Sequence, residues 1–409
     1  MSPKPAGALV LGSDYKALGV VRSLGRHGIE VWVLRDDHLL AGSSRYCQRV
    51  LPWPNASEAE RVDYLLDLCR TFDLAGWALF PTDDEMAAFL ARNRDALAER
   101  YRVTVPPWDV LRWAYDKRLT YRLAADVGVA HPRTHYPRGR TDLEFSGGYP
   151  AILKPAIRAE MNAFTISKAW RAEDAASLAA QYDEACALID PELIMLQEVI
   201  PGGGDCQFSF AALCRDGEPL ASVTAQRMRQ WPTDFGRAST FVETVEAPDV
   251  EASARRLLGS LRFDGIVEIE FKRDPRDGQL KLLDMNPRVW GWHTLGARAG
   301  VDFSYLLWRT MYGAPVSEVR GRTGVRWVRA LTDLPTSLKE IRAGRLSAST
   351  YVSSLRGPIE FSVLALDDIV PALVEVPASL SLAWKRRGIA RTPSDARGAA
   401  PLQSGSRRP

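Results

Sequence analysis

Glu268-Ile269-Glu270-Phe271-Lys272 and Leu282-Leu283-Asp284-Met285-Asn286-Pro287-Arg288 are separated by a short segment that contains Asp277-Gly278. Because Asp-Gly is a strong turn signal, the two stretches are predicted to form a β-hairpin. Alternate side chains of a strand share a face, so the acidic residues of the first stretch lie opposite its apolar residues. On the return strand Asp284 and Asn286 share a face as well. The hairpin is therefore expected to have one apolar face and one polar face.

The polar face of this hairpin predicts a metal site. Glu270, Asp284 and Asn286 can bring two carboxylates and an amide oxygen to one point. Such oxygen ligands suit Mg²⁺, with Mn²⁺ as an alternative, and Mg²⁺ is usually completed by water and substrate phosphates. Arg288 adds a planar cation where an anion would bind. Taken alone, acidic residues on a strand pair are more often a solvated face than a ligand set.

Length and composition restrict the class of protein. A chain of 409 residues can bury a sizeable core and should divide into two or three domains. Hydrophobic residues at 46% and charged residues at 25% exclude a disordered or fibrous chain. The formal charge of +3 is small and the basic residues form no single stripe, so nucleic acid is not an expected partner. Apolar runs stay below the roughly 18 residues of a membrane span.

The cysteines and the first residues favour a cytoplasmic location. The cysteine count is odd and CxxC spacing is missing, which predicts buried thiols in a reducing compartment. Residues 1–7 contain no basic segment followed by an apolar run, so a secretory signal is not expected. The cysteines are Cys47, Cys69, Cys186, Cys206 and Cys214.

The first hundred residues predict a parallel βαβ arrangement. Residues 8–34 have the pattern of strand, helix and strand, but the spacing after Gly12 is not GxGxxG. A nicotinamide-dependent oxidoreductase is therefore a weak alternative. The strand at residues 77–80 ends before Thr82 and Asp83, where ligands of such sheets bind, so both are candidates for substrate contact. Thr82 could equally cap the next helix.

The order of polar motifs along the chain resembles that of ATP-grasp enzymes. The segment from Asp284 to Arg288 is similar to the Glu-x-Asn-x-Arg segment of that family, and Glu270 matches the family's upstream acid. The resemblance covers roughly residues 8–320 and depends on the whole series rather than on any single residue. In chain order the matching residues are Lys117, Lys154, Glu198, Glu270, Asp284, Asn286 and Arg288.

The resemblance implies an α/β (α+β) fold in several parts. A Rossmann-like pre-ATP-grasp domain is expected at residues 1–110 and a two-lobed ATP-grasp domain at residues 111–320, with its hinge near residues 198–204. Residues 321–385 carry no chemical motif and are predicted to form a small packing domain. Residues 386–409 are rich in Arg, Ser, Gly and Pro, which is typical of a disordered tail.

The resemblance also implies an ATP site. Lys117 and Lys154 would contact the phosphates, and Lys168, expected on the next strand, also has a counterpart in the family. The backbone near Val199 would read the adenine edge. Glu198 would hold the ribose hydroxyls, with Asp205 as the alternative acid.

Two departures from the family pattern leave a second function open. Asp284 stands where most of the family has Glu, and residues 156–163 contain no glycine where the family has a glycine-rich loop over the phosphates. Arg158 and backbone amides could replace that cradle. A protein that binds nucleotide as a sensor, without ligating, is therefore the main alternative.

The implied activity is an ATP-dependent carboxylate–amine (or carboxylate–thiol) ligase, with Lys154 and Arg288 in catalysis. The expected partners are ATP, a small carboxylate and an amine acceptor of amino-acid or peptide type, and a homo-oligomer is conceivable. A biotin-dependent carboxylase is less favoured because nothing in the chain reads as a biotin carrier. Arg227 and Arg229, predicted to alternate onto one face, could bind the carboxylate or its acyl phosphate. The alternative for these two is a solvated edge strand.

The tryptophans after Arg288 complete the predicted acceptor pocket. Trp290-Gly291-Trp292 could wall it, with His293 beside them as a substrate contact. His293 could equally cap the helix that begins there.

Overall fold

A computed structural model describes residues 6–157, 162–231 and 238–389. Its first unit is a parallel sheet with the strand order β3-β2-β1-β4-β5. Every residue of β1 is buried, as expected for a parallel strand that is covered on both faces. The elements of this unit are β1 (Ala8–Leu11), α1 (Tyr15–Arg26), β2 (Val31–Arg35), β3 (Cys47–Pro52), α2 (Glu58–Phe72), β4 (Ala78–Pro81), α3 (Asp84–Arg92), α4 (Arg94–Ala98) and β5 (Arg102–Val103).

The carboxyl ends of β1 and β4 lie close together. Gly12 has a φ of +106°, and a Cβ at this position would lie 2.1 Å from the Thr82 hydroxyl oxygen. Asp14 and Asp83 cap α1 and α3, since each side chain accepts a hydrogen bond from a backbone N–H of its helix. The predicted βαβ pattern is confirmed by the parallel pairing of β1 with β2.

A small antiparallel sheet forms the first of two lobes. Its strand order is β6-β9-β7-β8, and α8 packs against it over an apolar cluster that includes Leu153, Leu178 and Leu196. The elements from the end of the first unit through this lobe are α5 (Trp108–Tyr115), α6 (Lys117–Asp126), β6 (Thr134–His135), β7 (Ala151–Pro155), α7 (Ala163–Ser167), β8 (Trp170–Ala172), α8 (Ala175–Cys186) and β9 (Ile194–Glu198).

An eight-stranded sheet forms the second lobe. The order is β14-β13-β10-β11-β12-β16-β17, and β15 pairs with β11 outside this path. Strands β16 and β17 come from the region predicted as a small packing domain, and they extend the sheet of this lobe. The elements are β10 (Gln207–Arg215), β11 (Glu218–Trp231), β12 (Ala238–Thr244), α9 (Pro248–Leu261), β13 (Gly265–Arg273), β14 (Leu280–Asn286), α10 (Thr294–Ala299), α11 (Phe303–Met311), β15 (Val319–Arg320), β16 (Arg326–Val328), α12 (Ala330–Arg342), α13 (Ala348–Ser354), β17 (Ile359–Phe361) and α14 (Val370–Ile389).

The predicted hairpin is formed by β13 and β14. Glu268 pairs with Asn286 and Glu270 pairs with Asp284, so the polar side chains lie opposite one another. The alternate residues of β13, among them Ile269 and Phe271, are fully buried in a cluster with α9. This apolar face anchors the hairpin and directs its polar face toward the lobe interface.

All five cysteines are free, with Cys69 and Cys214 buried and the others partly exposed. The prediction of thiols is confirmed, although only two of them are buried. No helix in the described part of the chain is long and apolar enough to cross a membrane.

Candidate active site at the meeting point of two cavities

Two cavities meet at the polar face of the β13–β14 hairpin. The first, of 490 Å³, lies between the two lobes, with Lys154 and Val199 in its wall. The second, of 710 Å³, lies between the first unit and the second lobe, with Asp83 and Arg288 in its wall, and is called the acceptor-side cavity after the pocket predicted from the sequence. The residues that border both cavities are Lys117, Lys168, Arg227, Trp231, Glu270 and Asp284.

At this meeting point each of the two carboxylates is paired with a cation. Lys117, the first residue of α6, donates through Nζ to Asp284 Oδ1 at 2.7 Å. Arg227 donates through Nη2 to Glu270 Oε2 at 3.0 Å. Burial lowers the pKa of Lys117, but the Asp284 charge outweighs that effect and the pKa is raised. The acids are therefore neutralised by side chains of the protein itself.

Asn286 connects the acidic cluster to Arg288. Its Nδ2 donates to Glu270 Oε1 and Glu268 Oε2, both at 3.1 Å, and its Oδ1 accepts from Arg288 Nη2 at 2.8 Å. The Arg288 Nε lies 3.0 Å from Asp84 Oδ1 on the first unit. The Arg288 guanidinium is thus fixed from two sides at the edge of the acceptor-side cavity.

The donor set fits a magnesium ion that is completed by phosphate. Glu270 and Asp284 supply two carboxylates and Asn286 an amide oxygen. Among the described residues, no group of three or more His, Cys, Asp or Glu side chains could hold a metal by itself. Mg²⁺ typically binds one or two carboxylates and takes its remaining ligands from water and substrate phosphates. These residues suit Mg²⁺ bound together with a nucleotide.

Lys154 borders the first cavity, where its surroundings do little to stabilise its positive charge. It is on β7, and its Nζ donates to the Tyr121 hydroxyl at 3.1 Å. Burial, and then the nearby Lys117 charge, lower the pKa of Lys154 to about 7. An anion bound between the two lysines would favour the charged form.

Glu198, the predicted ribose contact, borders the first cavity and is held by three hydrogen bonds. Its carboxylate accepts from Lys281 Nζ at 2.8 Å, from Arg276 Nη2 at 3.0 Å and from the Arg133 backbone N–H at 3.0 Å. The side chain is only 2% exposed. Burial raises the pKa of Glu198, but the hydrogen bonds from Lys281, the Arg133 backbone N–H and Arg276 outweigh this effect, so the pKa is lowered. These bonds join the end of β9 to the second lobe, and the ribose role of Glu198 stays a prediction.

Lys272 holds the predicted hinge at residues 198–204. Its Nζ donates to the carbonyl oxygens of Ile200 and Gly202, both at 2.8 Å, and the side chain borders the first cavity. The hinge connects β9 of the first lobe to β10 of the second.

The nucleotide candidates differ in their access to the first cavity. Val199 borders it, as predicted, whereas the exposed Asp205 is not among its wall residues. Gln207 borders it, and its buried Oε1 has no hydrogen-bond partner in the part of the chain that the structure describes. Because a buried acceptor needs a donor, Gln207 is a candidate ligand contact that the sequence did not indicate.

Lys168 borders both cavities, but its element was predicted wrongly. It follows α7 with a φ of +67° and precedes β8, instead of lying on a strand. The glycine-free segment 156–163 is only partly described, since Arg158 and the next three residues lie outside the described ranges.

The prediction that Arg227 and Arg229 share a face was wrong. A bulge at Met228 pairs Arg227 with Val242 and Arg229 with the adjacent Phe241, so the alternation is shifted by one residue. Arg229 forms a two-pronged pair with Asp333, at 2.8 Å for each bond, and lies over the Phe241 ring. Arg227 alone reaches the site.

The side chains of two further substrate candidates, Thr82 and His293, form hydrogen bonds to backbone carbonyls. Thr82 is buried and donates its hydroxyl to the Leu11 carbonyl at 2.8 Å, so it joins two strands and does not cap α3. His293 is buried, its Nδ1 donates to the Trp290 carbonyl at 2.9 Å, and it borders a separate cavity of 210 Å³. Burial lowers the pKa of His293 to about 4, so the ring is neutral at neutral pH. Its side chain makes no capping bond to α10.

Asp83 does border the acceptor-side cavity, and Trp292 does so as well, whereas Trp290 is in the core. Burial raises the pKa of Asp83. The prediction of a tryptophan wall therefore holds for one of the two tryptophans.

The acceptor-side cavity contains side chains that the sequence did not indicate. Glu268 accepts from the Trp292 indole N–H at 2.8 Å, and burial together with Glu270 raises its pKa. Arg329 lies over the Tyr15 ring at 4.0 Å. Glu268 could have been predicted as a site residue, because strand alternation places it on the polar face of β13 beside Glu270. The position of Arg329 depends on how β16 and α12 pack, so the sequence around Arg329 does not indicate that it borders this cavity.

No family model matches the sequence, and no curated protein matches it. Solved structures do match in fold. An L-amino acid ligase from Bacillus licheniformis is 18% identical, with 75% of each chain covered and a TM-score of 0.57. The biotin carboxylase domain of the Hydrogenobacter thermophilus 2-oxoglutarate carboxylase, solved with MgADP and bicarbonate, is 15% identical, with 78% of this chain and 73% of that chain covered and a TM-score of 0.61.

A third structure comes from another group of enzymes. The N5-carboxyaminoimidazole ribonucleotide synthetase from Thermus thermophilus is 19% identical, with 78% of this chain and 82% of that chain covered and a TM-score of 0.57. At these identities the matches identify a common fold.

Proposed function

Since the chain has the ATP-grasp fold, we propose that it is an ATP-dependent ligase that joins a carboxylate to an amine. The main support for the proposal is that the two cavities share part of their wall. Glu270 and Asp284 lie at this wall with three cations, Lys117, Lys168 and Arg227. A phosphoryl group could pass there from a nucleotide in one cavity to an acceptor in the other.

The chemistry proceeds in two steps. A carboxylate oxygen of the substrate attacks the γ-phosphorus of ATP, the bond to the leaving ADP oxygen breaks, and an acyl phosphate forms. The amine nitrogen then attacks the acyl carbon and loses a proton, and phosphate departs. Phosphate is a far better leaving group than an oxide ion, which is why the ATP is needed.

The side chains of the site supply positioning and positive charge. Lys117 and Lys154 bind the phosphates, and Glu270, Asp284 and Asn286 hold Mg²⁺, which when bound neutralises charge on the transferring group. Arg288, fixed by Asp84 and Asn286, stabilises negative charge on the acyl phosphate or on the tetrahedral adduct. No side-chain nucleophile is required.

The charges around the acceptor-side cavity support a substrate of amino-acid or peptide type. Asp14 and Asp83 can receive an ammonium group, while Arg288 and Arg329 can receive a carboxylate. A cavity wall with both acidic and basic side chains suits a zwitterion better than a simple anion. The L-amino acid ligase that shares the fold favours the same class.

The test is Mg²⁺-dependent release of ADP and phosphate by the purified protein against pools of amino acids and small carboxylates. We expect acceptor-dependent release that Lys154→Ala and Asp284→Ala abolish and that Lys339→Ala, an exposed lysine on α12, leaves intact. Binding of Mg-ATP without release across all pools would contradict the proposal and favour the nucleotide sensor.

A further inference from the structure

A third cavity lies apart from the two that meet at the hairpin. It has a volume of 210 Å³, and residues on or next to α1, α10 and β17 border it. None of the described residues that border it also borders either of the larger cavities. We call it the small cavity. Its charged and imidazole side chains are Arg22, Arg26, His293, Arg298, Asp302 and Glu360.

His293 borders the small cavity with one ring nitrogen unsatisfied. The side chain is buried, and its Nδ1 donates to the Trp290 carbonyl at 2.9 Å. Burial lowers the pKa of His293 to about 4, so the ring is neutral and Nε2 is an acceptor. Nε2 has no hydrogen-bond partner among the residues that the structure describes. Because buried polar atoms are normally satisfied, this nitrogen needs a donor that the protein does not supply.

Glu360 adds a carboxyl group that also needs a partner. It lies on β17, and its side chain has no hydrogen bond or ion pair within the described part of the chain. Burial raises the pKa of Glu360 to about 7, although Arg26, Arg298 and Arg22 act in the opposite direction. An opposite charge in contact with a carboxyl group favours its ionised form. Glu360 therefore suits the cationic group of a ligand.

The arginines of the small cavity differ in whether they are paired. Arg22 pairs with Asp368 at 2.9 Å, and Arg26 pairs with Asp367 at 2.8 Å. The side chain of Arg298, on α10, has no hydrogen bond or ion pair to any described residue. A guanidinium group binds a carboxylate through two parallel hydrogen bonds. Arg298 therefore suits the anionic group of a ligand.

We propose that the small cavity binds a zwitterion of amino-acid size, with its ammonium group at Glu360 and His293 and its carboxylate at Arg298. The volume of 210 Å³ is below the roughly 300 Å³ at which pockets for drug-sized ligands begin, so the ligand is small. A simple anion would leave Glu360 and His293 without a donor, and a simple amine would leave Arg298 unpaired. Binding at this cavity does not require the ligase activity proposed above.

The small cavity and the acceptor-side cavity are bordered by two common elements. Along α1, Tyr15 borders the acceptor-side cavity and Arg22 borders the small cavity. In the segment before α10, Trp292 borders the former and His293 the latter. The two elements are in close contact, since a Cβ at Gly19 of α1 would lie 2.5 Å from the His293 ring. A ligand in the small cavity therefore contacts two elements that also line the acceptor-side cavity.

Isothermal titration calorimetry of the purified full chain with a panel of single L-amino acids tests this site. We expect at least one amino acid of the panel to bind. Glu360→Gln and Arg298→Ala should each raise its Kd about tenfold or more, because each removes a hydrogen-bonding partner of a charged group. The N-acetyl derivative lacks the ammonium group and the methyl ester lacks the carboxylate, so each should bind with a similar loss.

Matched controls separate the small cavity from the protein surface and from the acceptor-side cavity. Glu173→Gln and Arg345→Ala change exposed side chains and should leave this Kd unchanged. Arg329→Ala alters the acceptor-side cavity and should leave it unchanged as well. Thermal unfolding by circular dichroism checks that each variant is folded.

Two results would overturn the assignment. One is that no amino acid of the panel binds, or that the folded Glu360→Gln and Arg298→Ala variants bind as tightly as the unchanged protein. The other is binding that Arg329→Ala alone weakens. That result would place the amino acid in the acceptor-side cavity, and it would leave the proposed ligase function standing.

Discussion

Lys154 is the residue whose protonation is most sensitive to what the site contains. Burial and the charge of Lys117 lower its pKa to about 7, so near neutral pH a large fraction of the free protein has it uncharged. Phosphate requires the charged form and raises the pKa on binding. Binding is therefore linked to proton uptake.

This linkage predicts the pH dependence of nucleotide affinity. Below pH about 7 Lys154 is already charged and the Kd for Mg-ATP should not depend on this group. As the pH rises above about 7 the Kd should increase, by up to about tenfold per pH unit, until the pH reaches the raised pKa of the bound state. Isothermal titration calorimetry across this range measures both the Kd and the proton uptake. Lys154→Ala should lose the pH dependence, and an unchanged profile in this variant would contradict the assignment.

At the scale of residues the sequence predicted the centre of the site well. Glu270, Asp284 and Asn286 come together as expected because strand alternation and register determine which side chains of a hairpin share a face. Lys117, which pairs with Asp284, was expected at the site only from the family resemblance. The hydrogen-bond partners of Glu198 could not be predicted in the same way. Its partners Arg276 and Lys281 follow it by about eighty residues, and nothing local to Glu198 identifies them.

At the scale of helices and strands, an irregularity in the backbone made one prediction wrong, namely which side chains of β11 share a face. The bulge at Met228 separates Arg227 from Arg229, and the sequence around Met228 in β11 contains no glycine or proline that would have marked it. The β13–β14 hairpin, by contrast, was predicted correctly because its apolar and polar residues alternate and Asp277-Gly278 marks the turn. Regular strands with an unambiguous alternation are predictable, whereas a single inserted residue is not.

The hinge offers a test at this scale. Lys272→Met keeps the apolar stem but removes the two hydrogen bonds to the carbonyls of Ile200 and Gly202. A hydrogen bond to a charged group contributes about 1.5–3 kcal/mol, so the KM for ATP should rise on the order of tenfold or more, with a smaller effect on kcat. Steady-state kinetics measure this, with Lys339→Met on the surface of α12 as the control. An unchanged KM would show that the hinge is held by other contacts.

At the scale of the whole molecule, the region after residue 320 contributes to both structure and site. Its strands β16 and β17 extend the second-lobe sheet, and Arg329 and Thr332 border the acceptor-side cavity. The sequence of this region contains no motif because its functional residues are positioned by contacts with distant parts of the chain.

Arg329 should therefore affect the acceptor and not the nucleotide. Its guanidinium is held over Tyr15 and its Nε has no hydrogen-bond partner among the described residues. Arg329→Ala is expected to raise the KM of a carboxylate-bearing acceptor roughly tenfold to a hundredfold while the Kd for Mg-ATP stays constant. Arg345→Ala, on the surface, is the control. A loss of Mg-ATP affinity instead would place Arg329 in the nucleotide site.

Asp333 is expected to stabilise the junction between this region and the second lobe. The side chain is fully buried, accepts two bonds from Arg229 and accepts the Thr240 hydroxyl at 2.9 Å. Asp333→Ala leaves a buried guanidinium without its counter-ion, which typically costs about 3–5 kcal/mol. Urea denaturation measures the loss. Glu173→Gln, which removes an exposed pair with Arg171, should cost less than about 1 kcal/mol, and equal losses in the two variants would contradict the argument.

The two internal ion pairs at the meeting point of the cavities also determine how ligands assemble there. Lys117 forms an ion pair with Asp284, and Arg227 forms one with Glu270. A metal ion that arrives alone must compete with these cations for the carboxylates, and a nucleotide that arrives alone must compete with the carboxylates for the cations. When both arrive, the carboxylates turn to the metal and the cations to the phosphates, and every charge exchanges one partner for another. The two ligands should therefore bind with positive cooperativity, each increasing the affinity of the protein for the other by the same factor.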